Sequence, residues 1–469
     1  MGKDVEGVLR KIVSSLQSRG AEFADARCIS AASTTIEVQD GRLEKIHGSR
    51  SMGAGIRVLA DGAWGFASSN GTAPDLIARC GDDALAIARA AAGKQKERGV
   101  VKPAPPHVGR SVTAAEIHPE SVPIEKKVSL AVSLEKSARE YDPRVANTCL
   151  TYWDGSASML VVNSFGTFVE SLSVRTRVAV SVTAADGDAR QRAFEIVGGR
   201  GGFEIADCIA PARFGEAASA RAVRMLYAAA PPSGKFPVIF DPSIAGLLVH
   251  EAFGHNSEAD HVLSGESIIS DKLGQRIASP LVTIVDDPTH PGAWGSFDYD
   301  AEGTPAVRRV LIENGVVKGL LHSLETAARM NAVPNGAARC ESHHHRPIVR
   351  MSNTFFLPGN STLEDMIKDI ETGILLGKAL SGYVQTEKGQ FTCRAGESWL
   401  IRNGKKEKLL RDVSVSGLTL EALAKIDAVA SDFALSMPGT CGKLGQGVPV
   451  DDGGPHIRVS ELVVGGTGE

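Results

Sequence analysis

Apolar positions recur at a helical period only in short stretches of this chain, and between them the alternation is that of strands. Val5, Val8, Leu9, Ile12, Val13 and Leu16 keep the helical period, and Gly20 supplies a stop. Next, Thr34–Val38 and Ile56–Leu59 are β-rich, with Asp40-Gly41 and Asp61-Gly62 as hairpin dipeptides. Leu76, Ile77, Ala84, Leu85 and Ile87 predict a second helix. Residues 92–116 are rich in Lys, Pro and Gly, with Pro103, Pro105 and Pro106 close together, and read as a connector. Beyond it, Ile124–Tyr141 carries helical spacing, and Val145–Ala184 alternates as strands that turn at Asp154-Gly155 and at Asn163-Ser164-Phe165-Gly166. This order predicts an α+β fold, with N-terminal helices on one face of an antiparallel sheet.

A break at Pro231-Pro232-Ser233-Gly234 divides the chain into an N-terminal α+β region, 1–232, and a C-terminal domain, 233–469. The second part opens with a short strand, Phe236–Phe240, followed by Asp241 and Ser243 as candidate N-caps of a helix. Further strands are expected over Leu281–Val285, Val307–Ile312, Val316–His322, Ile348–Leu357, Ile374–Gln385, Gln390–Ile401 and Ile457–Val464, with Asn314-Gly315 as a hairpin turn. So many short strands predict a large curved antiparallel sheet that can take a barrel-like form.

The helix after Asp241 carries the chemistry. An apolar run, Ile244–Val249, leads into His250-Glu251-Ala252-Phe253-Gly254-His255. Two neutral imidazoles hold a divalent metal, and a carboxylate beside the first takes a proton from water that the metal activates. The spacing is unusual. Histidines four apart, as in H-E-x-x-H, differ by about 40° around a helix, whereas five apart they differ by about 140°. Both face one ion only if the helix widens by an i→i+5 turn or ends, and Gly254 tolerates either distortion. The plainer alternative makes His250 a buried helix residue and His255 a polar cap.

Other clusters are weaker candidates. His343-His344-His345 offers three imidazoles, but consecutive strand residues point to opposite faces, so they share an ion only if the loop folds back. Asp298, Asp300 and Glu302 form an acidic group that is open to three readings: a solvated turn, a repelling pair with one raised pKa, or contacts that orient the histidines. Gly198–Gly202 lacks the Lys-Ser/Thr ending of a phosphate loop.

Composition narrows the class. With 469 residues, 43% hydrophobic and 23% charged, the chain has a globular profile with a substantial core. A net charge of −4, with scattered Lys and Arg, argues against a nucleic-acid partner. No apolar stretch approaches the roughly 20 residues of a spanning helix. The charged start Met1-Gly2-Lys3-Asp4 is not that of a signal peptide, so the expected place is the cytoplasm, with no membrane partner. The seven cysteines include no C-x-x-C pair, which argues against a zinc ribbon or a disulfide framework. Cys441 stands apart in the glycine-rich loop Pro438-Gly439-Thr440-Cys441-Gly442.

Around the histidines, His250-Glu251-Ala252-Phe253-Gly254-His255-Asn256-Ser257-Glu258-Ala259-Asp260 follows an extended H-E-x-x-G-H-x-x-E-x-D pattern. Further blocks are Asp40-Gly41-Arg42-Leu43-Glu44, Gly62-Ala63-Trp64-Gly65-Phe66-Ala67-Ser68 and Asp300-Ala301-Glu302-Gly303-Thr304-Pro305. Arg346-Pro347 comes next, then Arg350-Met351-Ser352-Asn353-Thr354, Gly439-Thr440-Cys441-Gly442-Lys443 and Gly445-Gln446-Gly447-Val448-Pro449-Val450. In these blocks the chain resembles the TldD/PmbA family, in particular its metal-bearing TldD branch, over nearly its whole length. Ala301 departs from the Asp-Glu-Gly of that family's pattern.

The resemblance implies a zinc metallopeptidase of the TldD type, with the Cys of Gly-Thr-Cys-Gly, here Cys441, as third ligand. Thiolate suits zinc, and the flanking glycines let the backbone bring it in. On this reading His250, His255 and Cys441 hold Zn²⁺, while Glu251 takes a proton from water and returns it to the leaving amine. The resemblance also implies dimers, either of one chain or with a TldE/PmbA-like paralogue lacking the metal motif, and a secluded site that cuts peptides or unfolded segments. Two alternatives remain: a non-catalytic modulator or binding protein with a structural metal, and a hydrolase of other small amides or esters.

Overall fold

The computed structural model describes residues 3–435 and 437–466; Met1 and Gly2, which head the amino end considered for a signal peptide, lie outside them. Helix α1, Lys3–Ser18, buries Leu9, Val13 and Leu16. The strands after it are much longer than their β-rich centres: β1 is Phe23–Gln39, β2 Arg42–Ala60 and β3 Ala63–Asn70. Asp40 and Asp61 take the positive φ, 48° and 52°, that tight hairpins need. There follow α2, Pro74–Ala91; β4, Val108–Val112; α3, Ile124–Arg139; β5, Val145–Asn163; β6, Phe168–Asp186; and β7, Ala189–Gly199.

These strands form one sheet in the order β3-β2-β1-β5-β6-β4, with β7 also on β6. All pairs are antiparallel except β4 with β6, so the connector 92–116 is not all linker: part of it is a sheet strand. Even-numbered residues of β1 share one face. Ala24, Ala26 and Cys28 there pack with α1 and α2, and Ile36 and Val38 pack with α3 and the helix Pro211–Met225. The helices therefore cover one face of an α+β layer, as the alternation predicts.

In the second half, β8, Gly234–Phe240, lies inside a nine-stranded sheet. Its order is 379–385, 390–395, 413–418, 457–466, β8, 372–376, 398–402 and 405–410, with 426–429 also pairing on 457–466. Two expectations need correction. The order ends on different strands, so the sheet is open and the barrel-like form is not found. It is also mixed, because β8 runs parallel to Thr372–Leu376.

Parallel neighbours require a crossover, and here the crossover is the whole of 241–371, which contains the histidine motif. Four of its strands, Val316–Val317, Arg309–Glu313, Ile284–Asp286 and Asn353–Phe356, form a smaller mixed sheet with Gln446–Gly454 and Ala434–Leu435 from later in the chain, and Gly439–Lys443 is hairpinned onto Gln446–Gly454. The predicted strand Ile348–Leu357 is two pieces, Ile348–Val349 and Asn353–Phe356. Among the described residues, no helix is long and apolar enough to cross a membrane.

A buried ion cluster joins the first sheet to the second half. Asp25 accepts from Arg27 at 2.8 Å and from Arg57 at 2.9 and 2.5 Å, and Arg57 also donates to Glu302 at 2.7 Å. Glu302 accepts the Leu324 N–H at 2.7 Å. Asp300 accepts three backbone N–H groups, from Glu302, Thr304 and Ala338, while burial and then the Glu302 charge push it up to about 8. Asp298 pairs with Arg200. Of the three readings of this acidic group, the repelling pair holds. Its partners are the joint between the two halves, not the histidines.

Removing one carboxylate from a buried ionic group leaves charge uncompensated, at a cost on the order of 3 kcal/mol. Glu302→Ala is therefore expected to lower the urea midpoint and to speed limited proteolysis. Unchanged values for both would refute this role for the joint.

Candidate metal centre

Asp241 turns the chain from β8 into the helix Pro242–Val249. Its carboxylate accepts the Ile244 N–H at 2.9 Å, an N-cap, and the Lys378 N–H at 2.8 Å. The helix then crosses Gln446–Gly454 so closely that a Cβ on Gly246 would stand 2.3 Å from the Gly453 nitrogen. Only glycine allows that approach, and it brings Asp452, beside Gly453, next to the end of the helix.

At His250 the winding changes. His250–Gly254 is a π-helical turn in which the His255 N–H donates to the His250 carbonyl, and His255–Ser257 continues as a 3₁₀ turn. Of the two distortions that the spacing allows, the helix takes the first and then stops. The imidazole centroids stand 5.2 Å apart with the rings perpendicular, at 90°. A Cβ on Gly254 would come within 2.0 Å of the Met351 sulfur, so fully buried Met351 forms the floor of the turn.

The strand Gly439–Lys443 brings Cys441 from the far end of the chain. Its Sγ is 3.5 Å from His255 Nε2, and one donor atom each from His250, His255 and Cys441 lie within 4.8 Å of one another. Buried Arg350 fixes this hairpin by donating to the carbonyls of Gln446 at 3.0 Å and Cys441 at 2.5 Å. The remaining imidazole nitrogens face carboxylates. His250 Nδ1 is 2.7 Å from Asp452, and His255 Nδ1 is 3.1 Å from Glu258. Each Nδ1 is thus occupied, which leaves each Nε2 for the shared space.

The charges follow from this arrangement. Burial alone would push the Cys441 thiol up, but hydrogen bonds and charge from His250 and His255 bring it down to about 4. Against its own burial, His255 is raised to about 9, first by Glu258 and then by Cys441. His250 is raised likewise by Asp452, whereas Asp452 itself goes up because its burial prevails over the pull of His250. Glu258, although fully buried, is held down at about 2 by Lys443 and His255. Half-buried Glu251 is raised by burial, with the two imidazoles opposing.

Two imidazole nitrogens and a thiolate are a borderline-soft donor set, suited to Zn²⁺ and not to Mg²⁺ or Ca²⁺, which prefer oxygen. Three protein donors also leave a position open, as in catalytic rather than closed structural sites. The residues present therefore fit a zinc ion.

His343, His344 and His345 lie elsewhere. Their loop does fold back, and Nε2 of His343 and of His344 both meet Asn70 Oδ1, at 3.2 and 3.1 Å, while His345 Nδ1 meets the Ser342 hydroxyl at 2.9 Å. They pin the loop to β3. Asp452, Lys443, Arg350 and Met351 went unassigned from sequence, because each acts through space across the fold. Glu258 at least stood inside the extended histidine pattern.

The site has the make-up of a hydrolytic metal centre, and comparison with known proteins supports the metallopeptidase class. Family models for domain 1, the central domain and the C-terminal domain of PmbA/TldA metallopeptidases match residues 24–88, 117–226 and 233–466. A metalloprotease of Methanothermobacter thermautotrophicus is 40% identical over 459 residues, covering 98% of each chain. The metalloprotease TldD homolog of Haemophilus influenzae is 31% identical over 467 residues, covering 98% of this chain and 96% of that one. The chain belongs to the TldD/PmbA family. Among solved structures, TldE from Thermococcus kodakarensis has a TM-score of 0.78 at 18% identity, covering 98% of this chain and 100% of that one. A candidate modulator of a DNA gyrase from Thermotoga maritima also scores 0.78, at 22% identity, covering 98% and 99%. At these identities the likeness is one of fold.

The contact between Gly254 and Met351 makes the turn testable. Gly254→Ala forces the π-turn or Met351 to move, at a cost of about 1–3 kcal/mol. The variant is expected to bind less zinc and melt earlier, and Met351→Ala in the same chain is expected to recover part of the zinc. Full zinc content in Gly254→Ala, measured by plasma emission spectroscopy, would show that this contact does not set the turn.

Proposed function

We propose that this protein is a zinc-dependent peptidase in which His250, His255 and Cys441 hold the ion and Glu251 is the general base. The observation that carries the reading is the convergence of those three donor atoms within 4.8 Å, with Glu251 on the same turn. When bound, zinc supplies a Lewis acid that polarises the scissile carbonyl and makes water more acidic. Glu251 takes the proton of the attacking water on a carboxylate oxygen and delivers it to the leaving amine. Its burial suits the task, because a carboxyl raised from its ordinary range is a better proton carrier near neutral pH. Asp452 and Glu258 each hold an imidazole through Nδ1, so neither ring is free to rotate.

The substrates are peptides or unfolded segments, a reading supported by the metalloprotease relatives. Zinc is supported by the donor set and by the zinc metalloprotease TldD homolog of Saccharolobus solfataricus, 27% identical over 468 residues. A dimer, of one chain or with a TldE/PmbA-like paralogue, is part of this proposal, and the likeness in fold to TldE is compatible with such a partnership. The name of the gyrase-modulator neighbour is in keeping with the other reading, a non-catalytic modulator or binding protein, and one set of variants separates the two readings.

Wild type is expected to hold about one zinc per chain, and His250→Ala, His255→Ala and Cys441→Ala each to hold less. Glu251→Gln keeps the shape of the side chain and loses the proton acceptor. It is expected to retain zinc and thermal midpoint while peptide cleavage falls by about 10²- to 10⁴-fold. Zinc content, melting and digestion of a broad peptide library are measured on the same preparations. Equal cleavage by Glu251→Gln and wild type would exclude Glu251 as the base, and no cleavage by zinc-loaded wild type would favour the modulator.

A further inference from the structure

Beyond the three donor atoms, the Cys441 strand makes a second contact with the histidine motif. On the zinc reading above, we infer that Lys443 is a positioning residue of the metal centre: its buried ammonium ties the carboxylate behind His255 to the strand that carries Cys441. Two residues apart on a strand, Cys441 and Lys443 project to the same side. The Lys443 side chain is only 7% exposed, and its Nζ lies in a cradle of four oxygens. These are Glu258 Oε2 at 3.1 Å, Asp260 Oδ1 and Oδ2 at 2.7 and 2.8 Å, and the Val349 carbonyl at 3.2 Å.

One of those oxygens does double service. Glu258 Oε2 is also the atom that His255 Nδ1 meets at 3.1 Å, so ammonium and imidazole share it. Glu258 is fully buried, and its other oxygen, Oε1, has no hydrogen-bond partner among the described residues. The position of that carboxylate, and with it the plane of the His255 ring, depends on what holds Oε2. Besides His255, Oε2 has the Lys443 ammonium at 3.1 Å and the His261 ring at 3.6 Å, while Arg350 adds its charge from farther off. Lys443 makes the shorter contact.

The hairpin itself also needs Lys443. Its tip is not held by packing: Leu444 is 71% exposed, and a Cβ on Gly442 or Gly445 would meet nothing within 4 Å. Arg350 grips the strand at the Cys441 carbonyl, and Lys443 grips it next to the tip. A surface ion pair in such a place would do little. A buried one that shares an atom with the support of a metal-holding imidazole sets both the ring and the strand. Partners of this kind typically change metal affinity by about 10- to 100-fold.

The test uses the full chain with zinc alone as ligand, its affinity read by competition with a chromophoric chelator. The visible spectrum of the cobalt-substituted protein reports the geometry. Lys443→Met keeps the stem and removes the charge, and it is expected to weaken zinc about 10- to 100-fold and to alter the cobalt bands. Lys443→Arg is expected to recover part of the loss. Zinc affinity and cobalt bands of Lys443→Met equal to wild type would overturn the inference.

Lys443→Met takes the ammonium away from Glu258 and Asp260 at once, so Glu258→Gln with and without Lys443→Met separates lost fold from lost position. If Lys443 acts through Glu258, the double variant binds zinc within about twofold of Glu258→Gln alone. A further large loss in the double variant would refute that route. A folded wild type that takes up no zinc would overturn the metal reading and this inference with it. If Cys441→Ser loses zinc while Lys443→Met keeps it, the metal reading stands and the role of Lys443 alone falls.

Discussion

Two imidazoles five residues apart cannot face one point from a regular α-helix, and much of the second half of the chain is arranged around the distortion that lets them do so. A π-turn is rarely stable unsupported. Here Asp241 caps the helix at its start, Gly246 seats it on Gly453, and Met351 fills the space below Gly254. Glu258 then receives His255 where the turn ends. Each contact comes from a different element, so the widened turn is held from several directions.

Charge is managed by one rule. A buried ion is costly unless it is paired and hydrogen-bonded, and two of the buried paired clusters among the described residues bear on the setting of the site. One, Asp25 with Arg27, Arg57 and Glu302, joins the first sheet to the second half. The other, Glu258 and Asp260 with Lys443 and His255, backs the metal centre. The two face each other: Arg57 and Lys443 both line a cavity of about 340 Å³, with Trp64, Asp260 and Arg346 on its walls. The N-terminal half therefore lines one wall of a cavity on the Lys443 side of the second cluster, and none of the three candidate donors lines that cavity.

Legibility in the sequence followed the range of the interaction. The widened turn could be read from the spacing of His250 and His255 and the glycine between them, because helix geometry is local. Helices with a clear apolar stripe, such as Lys3–Ser18, were readable for the same reason. The long strands were not: in β1 the β-rich stretch is only Thr34–Val38, and Ser-Ala-Ala-Ser at 30–33 has little β character, yet pairing with β2 and β5 carries the strand through. The open form of the large sheet depends on which strands end as neighbours, which alternation does not encode. Cys441 stood out by its glycine-rich setting but entered as a ligand only through the family resemblance. Lys443 ended the same block without a role, and Asp452 could not be read at all, since nothing in their local sequence indicates that a close helix crossing or a hairpin will place them against the histidines.

The donor set is divided between residues 250–255 and residue 441, and the supports Lys443 and Asp452 lie close to the carboxyl end of a 469-residue chain. A chain still emerging from the ribosome therefore carries both histidines, and even Glu251, through 186 further residues before Cys441 is made. The strand that carries Cys441 is hairpinned onto Gln446–Gly454, an inner strand of the smaller sheet, so it is placed only once that strand has docked. A product truncated or stalled before residue 441 thus carries the histidine turn without its third candidate donor.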